Sequence, residues 1–170
     1  MLVRLQTYAS FVRFSHSVFA LPFALTGALL ASTFVPFDWT RLWWIIGCMV
    51  AARSAAMGFN RLADHAIDAR NPRTAGRELP RGVLSRSEAG VFVAISCVVF
   101  VLAAALMNPP CLALSAVALL IVFGYSYTKR FTAASQIVLG LSLAVAPVGA
   151  WLAIRGRFEA VPLVLGAAVV

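Results

Sequence analysis

The sequence predicts an all-α membrane protein, a bundle of hydrophobic helices that crosses the bilayer several times. Its 170 residues are 62% hydrophobic and 12% charged, and the mean hydropathy is +0.91. An ordinary soluble domain has about 45–50% apolar and about 25% charged residues, so this chain is too apolar to present a water-compatible surface. The hydrophobic residues also form long runs between short polar turns, which is typical of a polytopic membrane protein.

The formal net charge of +8 would suggest a nucleic-acid partner in a soluble chain. Here no basic face interleaved with aromatic residues occurs outside the loops, and the positive-inside bias of membrane proteins accounts for the excess. Nucleic acid is therefore not an expected partner. Cys48, Cys97 and Cys111 lie in or beside apolar runs without CxxC or histidine pairing, so we expect small buried hydrophobic side chains rather than disulfides or metal ligands.

The first two spans are separated by a short turn. The first apolar run covers about residues 14–35, which is too long for the hydrophobic part of a signal peptide. Asp38 or Thr40 can cap the second helix. This helix runs from about Arg41 to about Asp68, and Asn71-Pro72 ends it.

The rest of the chain continues the alternation of spans and turns. Residues 69–86 form a basic loop, too polar and too rich in proline and glycine to enter the membrane. Ser85 and Glu88 have the spacing of a capping box. The third, fourth and fifth helices and a sixth apolar run, shorter than the ~20 residues of a span, are predicted at about 86–107, 111–128, 135–154 and 159–170. We therefore expect five spans and the start of a sixth, in a single domain over residues 1–170 that is incomplete at its C-terminal end.

The distribution of basic residues predicts the orientation of the bundle. With the N-terminus inside, the cytoplasmic side carries ten basic residues, at positions 4, 13, 61, 70, 73, 77, 81, 86, 129 and 130, and the other side carries three, at 41, 155 and 157. This asymmetry favours a cytoplasmic N-terminus and a cytoplasmic 69–86 loop.

A polar stripe on the second predicted helix carries the chemistry. At 3.6 residues per turn, Arg53, Asn60, Asp64 and Asp68 fall on one face. Two carboxylates one turn apart repel each other, and a buried charge at membrane depth costs about 2.5–3.5 kcal/mol on insertion scales. Magnesium, which usually takes one or two carboxylates and substrate phosphate oxygens, would offset both costs.

The basic loop supplies groups that suit a phosphate. Arginines recur at positions 70, 73, 77 and 81, and the planar guanidinium matches phosphate oxygens. Lys129 and Arg130 reach the same membrane side from the end of the fourth helix. Carboxylates, a cation and a ring of basic groups together predict a magnesium-diphosphate site.

These residues carry a family resemblance. The pattern Asn60-x-x-x-Asp64-x-x-x-Asp68, followed by Arg73-Thr74 and Arg77-x-Leu79-Pro80, resembles the first aspartate-rich motif of the UbiA superfamily of intramembrane prenyltransferases. Tyr125-x-x-x-Lys129-Arg130 and the following Gln136-Ile137-Val138-Leu139-Gly140 are similar to the segment between the fourth and fifth helices of that family. The likeness covers nearly the whole chain and is strongest to the 4-hydroxybenzoate polyprenyltransferase-like group of bacterial quinone biosynthesis.

The resemblance implies a nine-helix bundle in the bacterial inner membrane, with two aspartate-rich motifs over a central cavity. It makes Asp64 and Asp68 the catalytic residues that hold Mg²⁺ on a polyprenyl diphosphate. It implies that Arg53 meets a small aromatic acceptor, for instance through a carboxylate. The diphosphate-binding residues that it implies are Asn60, Arg73, Arg77, Tyr125 and Lys129.

One departure and several alternatives remain. After Asp68 the acidic residues are Glu78, Glu88 and Glu159, so the second aspartate motif is missing and we expect these 170 residues to be inactive alone. The chain could instead be a non-catalytic membrane subunit or transporter that binds an anionic lipid or phosphate ligand, or a catalytically dead half-protein that assembles with another chain. In those cases the two aspartates would pair with nearby arginines, and Arg53 would form a buried ion pair.

Overall fold

The structure is a computed structural model that describes residues 2–13, 21–132 and 135–170. These residues form helices and turns without a β-strand, which confirms the all-α class. Four helices, α3 to α6, are long and apolar enough to cross a membrane, and α2 is a shorter apolar helix. The helices are α1 (Leu2–Phe11), α2 (Leu21–Ser32), α3 (Trp39–Arg70), α4 (Arg86–Met107), α5 (Pro109–Thr128), α6 (Ser135–Arg155) and α7 (Ala160–Ala167).

The N-terminal part differs most from expectation. The first third of the predicted first span, residues 14–20, lies outside the described residues. The described remainder forms α2, which ends at Ser32 rather than near Val35. Helix α1 was not predicted, because its ten residues are too short and too mixed in polarity to stand out. It is held by packing: Phe11 is fully buried, and the ring of Tyr8 stacks on that of Phe92 in α4 at 5.1 Å.

Polar caps place the starts of α3 and α4. The Asp38 carboxylate accepts the backbone N–H of Thr40 at 2.8 Å, so α3 begins at Trp39, two residues before the predicted start. Ser85 and Glu88 form the predicted capping box, in which each side chain accepts the other residue's backbone N–H, at 3.1 and 2.9 Å. Such a cap contributes about 1 kcal/mol to helix stability.

Helix α3 is longer than the hydrocarbon core of a membrane, and the polar stripe runs toward its C-terminal end. It has 32 residues, or about 48 Å at 1.5 Å per residue, against a hydrocarbon core of about 30 Å. About 18 Å of the helix therefore extends beyond the hydrocarbon. The charged residues Arg61, Asp64, Asp68 and Arg70 are concentrated at its C-terminal end, which is therefore the end expected to project beyond the hydrocarbon.

Small residues bring α2 and α6 into close contact. Ala24, Ala28 and Ala31 are at most 2% exposed, and a Cβ atom on Gly27 would lie only 2.4 Å from the carbonyl oxygen of Pro147 in α6. Pro147 lies inside α6 without ending it. Close backbone approach through small residues is the usual way in which membrane helices associate.

Large apolar side chains cover the outer face of α4. Val91, Ile95, Val98, Leu102 and Leu106 are each more than half exposed, and their spacing of three or four residues places them on one side of the helix. In water such a stripe would be costly, whereas lipid chains cover it without penalty. This face fits the expected contact with membrane lipid.

At the end of the bundle opposite the polar stripe, two side chains cap the C-terminus of α6. Arg41 donates to the carbonyl oxygen of Ile154 at 2.8 Å. Asn108, in the turn between α4 and α5, donates to the carbonyl oxygens of Leu152 and Ala153 at 2.9 and 3.2 Å. The bonds to Ala153 and Ile154 satisfy carbonyl groups that a helix end leaves unpaired, and Leu152 accepts a second bond besides that from the Gly156 N–H.

Candidate functional site

The two aspartates of the polar stripe are buried although they lie at a helix end. Asp64 is 8% and Asp68 is 6% exposed, and each accepts hydrogen bonds from basic side chains that come from elsewhere in the chain. A buried carboxylate requires such partners, because removing an unpaired charge from water costs several kcal/mol.

Asp64 lies between Lys129 and Arg130. Lys129 Nζ donates to Asp64 Oδ2 and also to the side-chain oxygen of Asn60. Arg130 Nη2 donates to Asp64 Oδ1 at 2.9 Å and to the carbonyl oxygen of Ala63 at 2.6 Å. The end of α5 is thereby fixed against the stripe, and the structure brings Asn60, Asp64 and Lys129 together.

Asp68 is bound by the loop that follows it. Arg77 Nη1 donates to Asp68 Oδ2 at 2.7 Å, and the Thr74 hydroxyl donates to the Asp68 carbonyl oxygen at 3.0 Å. The loop therefore folds back over the end of α3, so that Arg77 contacts Asp68, which precedes it by nine residues in the sequence.

A cavity of about 600 Å³, which we call the central cavity, runs beside α3. Its α3 lining extends from Ile45 to Asn60, fifteen residues or about 22 Å along the helix axis. Most of the wall is apolar, and comes from α3, α4, α5 and α6. Asn60, Tyr125 and Lys129 line it near the polar end of α3.

Arg53 also lines the central cavity, two turns deeper than Asn60. Its Nε atom is buried and has no hydrogen-bond partner in the part of the chain that the structure describes. The alternative of a buried ion pair with Asp64 does not occur, since the partners of Asp64 are Lys129 and Arg130. An arginine that lines a cavity and has a buried nitrogen without a partner is suited to an anionic or polar ligand.

Arg73 and Arg77 differ from Asn60, Tyr125 and Lys129 in the space that they line. They do not line the central cavity. Together with Thr74 and Arg13, they line a second space of about 230 Å³, which we call the outer pocket. Arg77 connects the two regions, because it lines the outer pocket while it is bonded to Asp68.

Another interaction holds the loop and α1 against α3. Glu78 accepts the Ser10 hydroxyl at 2.5 Å, and its other carboxylate oxygen lies 4.0 Å from Nη1 of Arg61, a residue only 4% exposed. Three segments that are far apart in sequence meet at this carboxylate.

The donor set fits one part of a magnesium site. Asn60, Asp64 and Asp68 present an amide oxygen and two carboxylates on successive turns of α3, and oxygen ligands of this type suit a hard cation when phosphate oxygens complete its shell. The described residues contain no cluster of three or more His, Cys, Asp or Glu side chains. A metal ion that bound these carboxylates would therefore replace Lys129 at Asp64 and Arg77 at Asp68.

Several site residues were not identified from the sequence. Arg130 was expected only on the same membrane side, yet it binds Asp64 directly. Arg13 and Thr74 line the outer pocket. Arg61 and Glu78 form an ion pair with each other. Arg130 could have been found from its position next to Lys129. Arg13 could not, because its approach to Arg73 and Arg77 depends on how α1 packs.

Comparison with known proteins shows what the chain resembles. Residues 20–170 match the UbiA prenyltransferase family. A 4-hydroxybenzoate octaprenyltransferase of Vibrio atlanticus is 38% identical over 105 residues, covering 62% of this chain and 37% of that protein. A protoheme IX farnesyltransferase 2 of Vibrio campbellii is 35% identical over 144 residues, covering 81% and 46%. The chain thus spans between a third and a half of the length of these relatives.

A solved structure agrees with the sequence matches. The apo structure of a UbiA homolog from Aeropyrum pernix K1 superposes with a TM-score of 0.83 at 34% identity, over 91% of this chain and 58% of that one. The fold, the family match and the predicted first aspartate motif therefore agree. The chain belongs to the UbiA prenyltransferase family.

Proposed function

We propose that this protein takes part in transferring a prenyl group from a polyprenyl diphosphate to an aromatic acceptor of the hydroxybenzoate or naphthoate type in quinone biosynthesis. The observation that carries the proposal is the burial of Asp64 and Asp68 among basic side chains. One of these, Lys129, binds Asp64 and lines the polar end of a long, apolar-walled cavity. The apolar wall suits an isoprenoid tail, and the charged end suits its diphosphate.

Each predicted residue has a role in this proposal. Asp64 and Asp68, assisted by Asn60, would hold Mg²⁺, which when bound neutralises charge on the leaving diphosphate. Tyr125 and Lys129 would contact the diphosphate from the cavity wall. Arg73 and Arg77 would contact it from the loop, once Arg77 leaves Asp68.

The reaction begins with heterolytic cleavage of the allylic C–O bond, whose electron pair leaves with the diphosphate. The basic side chains stabilise the negative charge that develops on the leaving group. The aromatic ring then attacks the allylic cation to form a C–C bond, and the ring carbon loses its proton. The apolar side chains of the cavity keep water away from the cation.

Arg53 would bind the acceptor. Its side chain lines the central cavity and its buried Nε has no partner among the described residues, so an acceptor carboxylate would bind the guanidinium group from the cavity. We expect Arg53→Gln to raise KM for 4-hydroxybenzoate by about tenfold, since a charge-assisted hydrogen bond contributes about 1.5–3 kcal/mol. KM for an acceptor without a carboxylate should not change, and an equal rise for both acceptors would remove this role.

The protein would be an integral protein of the bacterial inner membrane. The clustering of basic residues in the loop between α3 and α4 and at the end of α5 supports a cytoplasmic site with a cytoplasmic N-terminus. Cysteine accessibility on the loop in intact cells and in inverted vesicles would measure this orientation.

The decisive experiment replaces Asp64 or Asp68, one at a time, by asparagine in the longest natural protein that contains this sequence. Prenyl transfer to 4-hydroxybenzoate should require a divalent cation and should fall by on the order of 10²-fold in Asp64→Asn and Asp68→Asn. Asp38→Asn is the matched control, because Asp38 lies at the other end of α3 and asparagine is an equally good helix cap. Diphosphate binding without metal-dependent turnover would instead identify a non-catalytic binding subunit.

A further inference from the structure

The far end of the central cavity, opposite the polar end of α3, has a wall that does not come from a helix. Among the described residues that line the cavity, Lys129 and Phe158 are the two that lie outside the helices. Lys129 follows α5 and Phe158 follows α6. The start of α5 lies next to the end of α6, because Asn108 donates to the Leu152 carbonyl oxygen. Lys129 and Phe158 therefore lie at opposite ends of the cavity.

The turn that carries Phe158 is held by the neighbouring carboxylate of Glu159. This carboxylate accepts hydrogen bonds from Nη2 of Arg155 at 2.9 Å, from Nε of Arg157 at 2.7 Å and from the indole N–H of Trp151 at 3.1 Å. Trp151 is fully buried, so the carboxylate fixes the turn to the core of the bundle and not only to other surface side chains.

The same turn has two further attachments. Gly156 has a φ of +69°, the left-handed conformation in which glycine commonly ends a helix, and its N–H donates to the Leu152 carbonyl oxygen at 2.8 Å. Arg155 donates to the carbonyl oxygen of Phe34 at 3.3 Å, and its guanidinium group lies 5.0 Å from the centre of the Phe34 ring. The position of Phe158 is therefore well determined, although Phe158 itself is 58% exposed.

The length of the cavity corresponds to a limited number of isoprene units. Its α5 wall extends from Cys111 to Tyr125, about 21 Å along the axis, which agrees with the length of the α3 wall. An extended amino-acid residue covers about 3.3–3.6 Å with three main-chain bonds, so an isoprene unit with four such bonds covers about 4.6 Å. About five extended units therefore fit between the polar end and Phe158.

We propose that Phe158 is the end wall of the central cavity and limits the isoprenoid tail to about five units, with Glu159 as the positioning residue that keeps the Phe158 ring in place. The inference rests on the proposed function, because it takes the central cavity as the site of the tail. Micelle and cavity wall are similarly apolar, so a unit that enters the cavity gains little. A sixth unit meets the Phe158 ring and must bend or displace it.

Titration calorimetry in detergent micelles with Mg²⁺ and prenyl thiolodiphosphates of three, five, six and eight units, which ionise slowly, tests the end wall. The wild type should bind the three- and five-unit compounds equally and the longer two about tenfold more weakly, the size of a typical overpacking cost. Phe158→Ala should remove this loss of affinity, and Phe158→Trp should extend it to five units. Phe131→Ala is the matched control, because Phe131 is 82% exposed and does not line the cavity.

The positioning role of Glu159 has its own readout. Glu159→Gln weakens the bonds to Arg155 and Arg157, so it should reduce the discrimination against longer tails while the affinity for the three-unit compound stays the same. A merely structural role would lower the affinity for every length equally, and that result would remove Glu159 from the proposal.

Wild-type affinity that does not depend on tail length, or a loss of affinity that persists unchanged in Phe158→Ala, would overturn the end wall. Neither result affects the proposed transferase chemistry, for which Asp64→Asn should impair transfer of all tail lengths alike. A wild type that discriminates against long tails but transfers no prenyl group would support the end wall and contradict the proposed function.

Discussion

Replacing Gly27 by alanine tests the contact between α2 and α6 most directly. The added Cβ would lie 2.4 Å from the carbonyl oxygen and 2.9 Å from the Cα of Pro147. Non-bonded carbon contacts are optimal at about 3.5–4.0 Å, so the helices would have to separate by about 1 Å. The contacting atoms belong to the backbone of α6, which cannot rotate away as a flexible side chain can.

The cost follows from this displacement. Overpacking typically destabilises by about 1–3 kcal/mol, and a gap of 0.5–1 Å already forfeits about a quarter to a half of each dispersion contact along the interface. Alanine regains at most about 1 kcal/mol of helix propensity over glycine. We expect Gly27→Ala to lower the free energy of unfolding by about 2 kcal/mol.

The measurement is unfolding by sodium dodecyl sulfate in mixed micelles, followed by circular dichroism. Gly47→Ala is the matched control, because a Cβ at Gly47 in α3 meets nothing within 4 Å, and this variant should be as stable as the wild type or slightly more stable. If Gly27→Ala were as stable as Gly47→Ala, α2 and α6 would not approach each other as closely as they do in the structure.

Three further predictions concern other parts of the protein. Asn108→Ala should destabilise by about 1–3 kcal/mol in the same unfolding assay, because it removes the cap of α5 and two bonds to the end of α6; Asn108→Ser, which keeps a capping oxygen and loses the two bonds, should fall between. Lys129→Gln should weaken inorganic diphosphate binding about tenfold in titration calorimetry, with little loss of stability, since Arg130 still binds Asp64; equal affinity would exclude Lys129 from the site. Hydrogen bonds from the guanidinium groups of Arg155 and Arg157 lower the pKa of Glu159, in the turn before α7, from 4.5 to about 2. A carboxyl whose pKa is lower in the folded state stabilises above its unfolded pKa, so the stability difference between wild type and Glu159→Gln should be complete above about pH 4.5 and disappear as the pH falls toward 2.

Local sequence rules predicted the features that act over a few residues. The caps at Asp38 and Ser85 and the end of α3 before Asn71-Pro72 follow from short-range hydrogen bonding and backbone sterics. The shared face of Asp64 and Asp68 follows from helical periodicity. In each of these cases the interacting groups are at most a few residues apart, so neighbouring residues specify the result.

Features that depend on tertiary packing were not predictable in the same way. Helix α1 exists because Phe11 and Tyr8 pack against α4, and nothing in its own ten residues indicates that contact. The separation of Arg73 from Lys129 depends on how the loop folds over α3. From the sequence we predicted that both residues belong to one site, because both are basic and both are expected on the same side of the membrane.

The continuity of α3 has a geometric consequence. Arg53 and Asp64 belong to one unbroken helix, so their separation of eleven residues corresponds to about 16 Å along the axis and just over three full turns. The fixed rise and rotation per residue of this one helix therefore set the relative depth and direction of both side chains, independently of the neighbouring elements. Inserting one residue between them would turn one end by about 100° relative to the other, and Arg53 and Asp64 would no longer share a face.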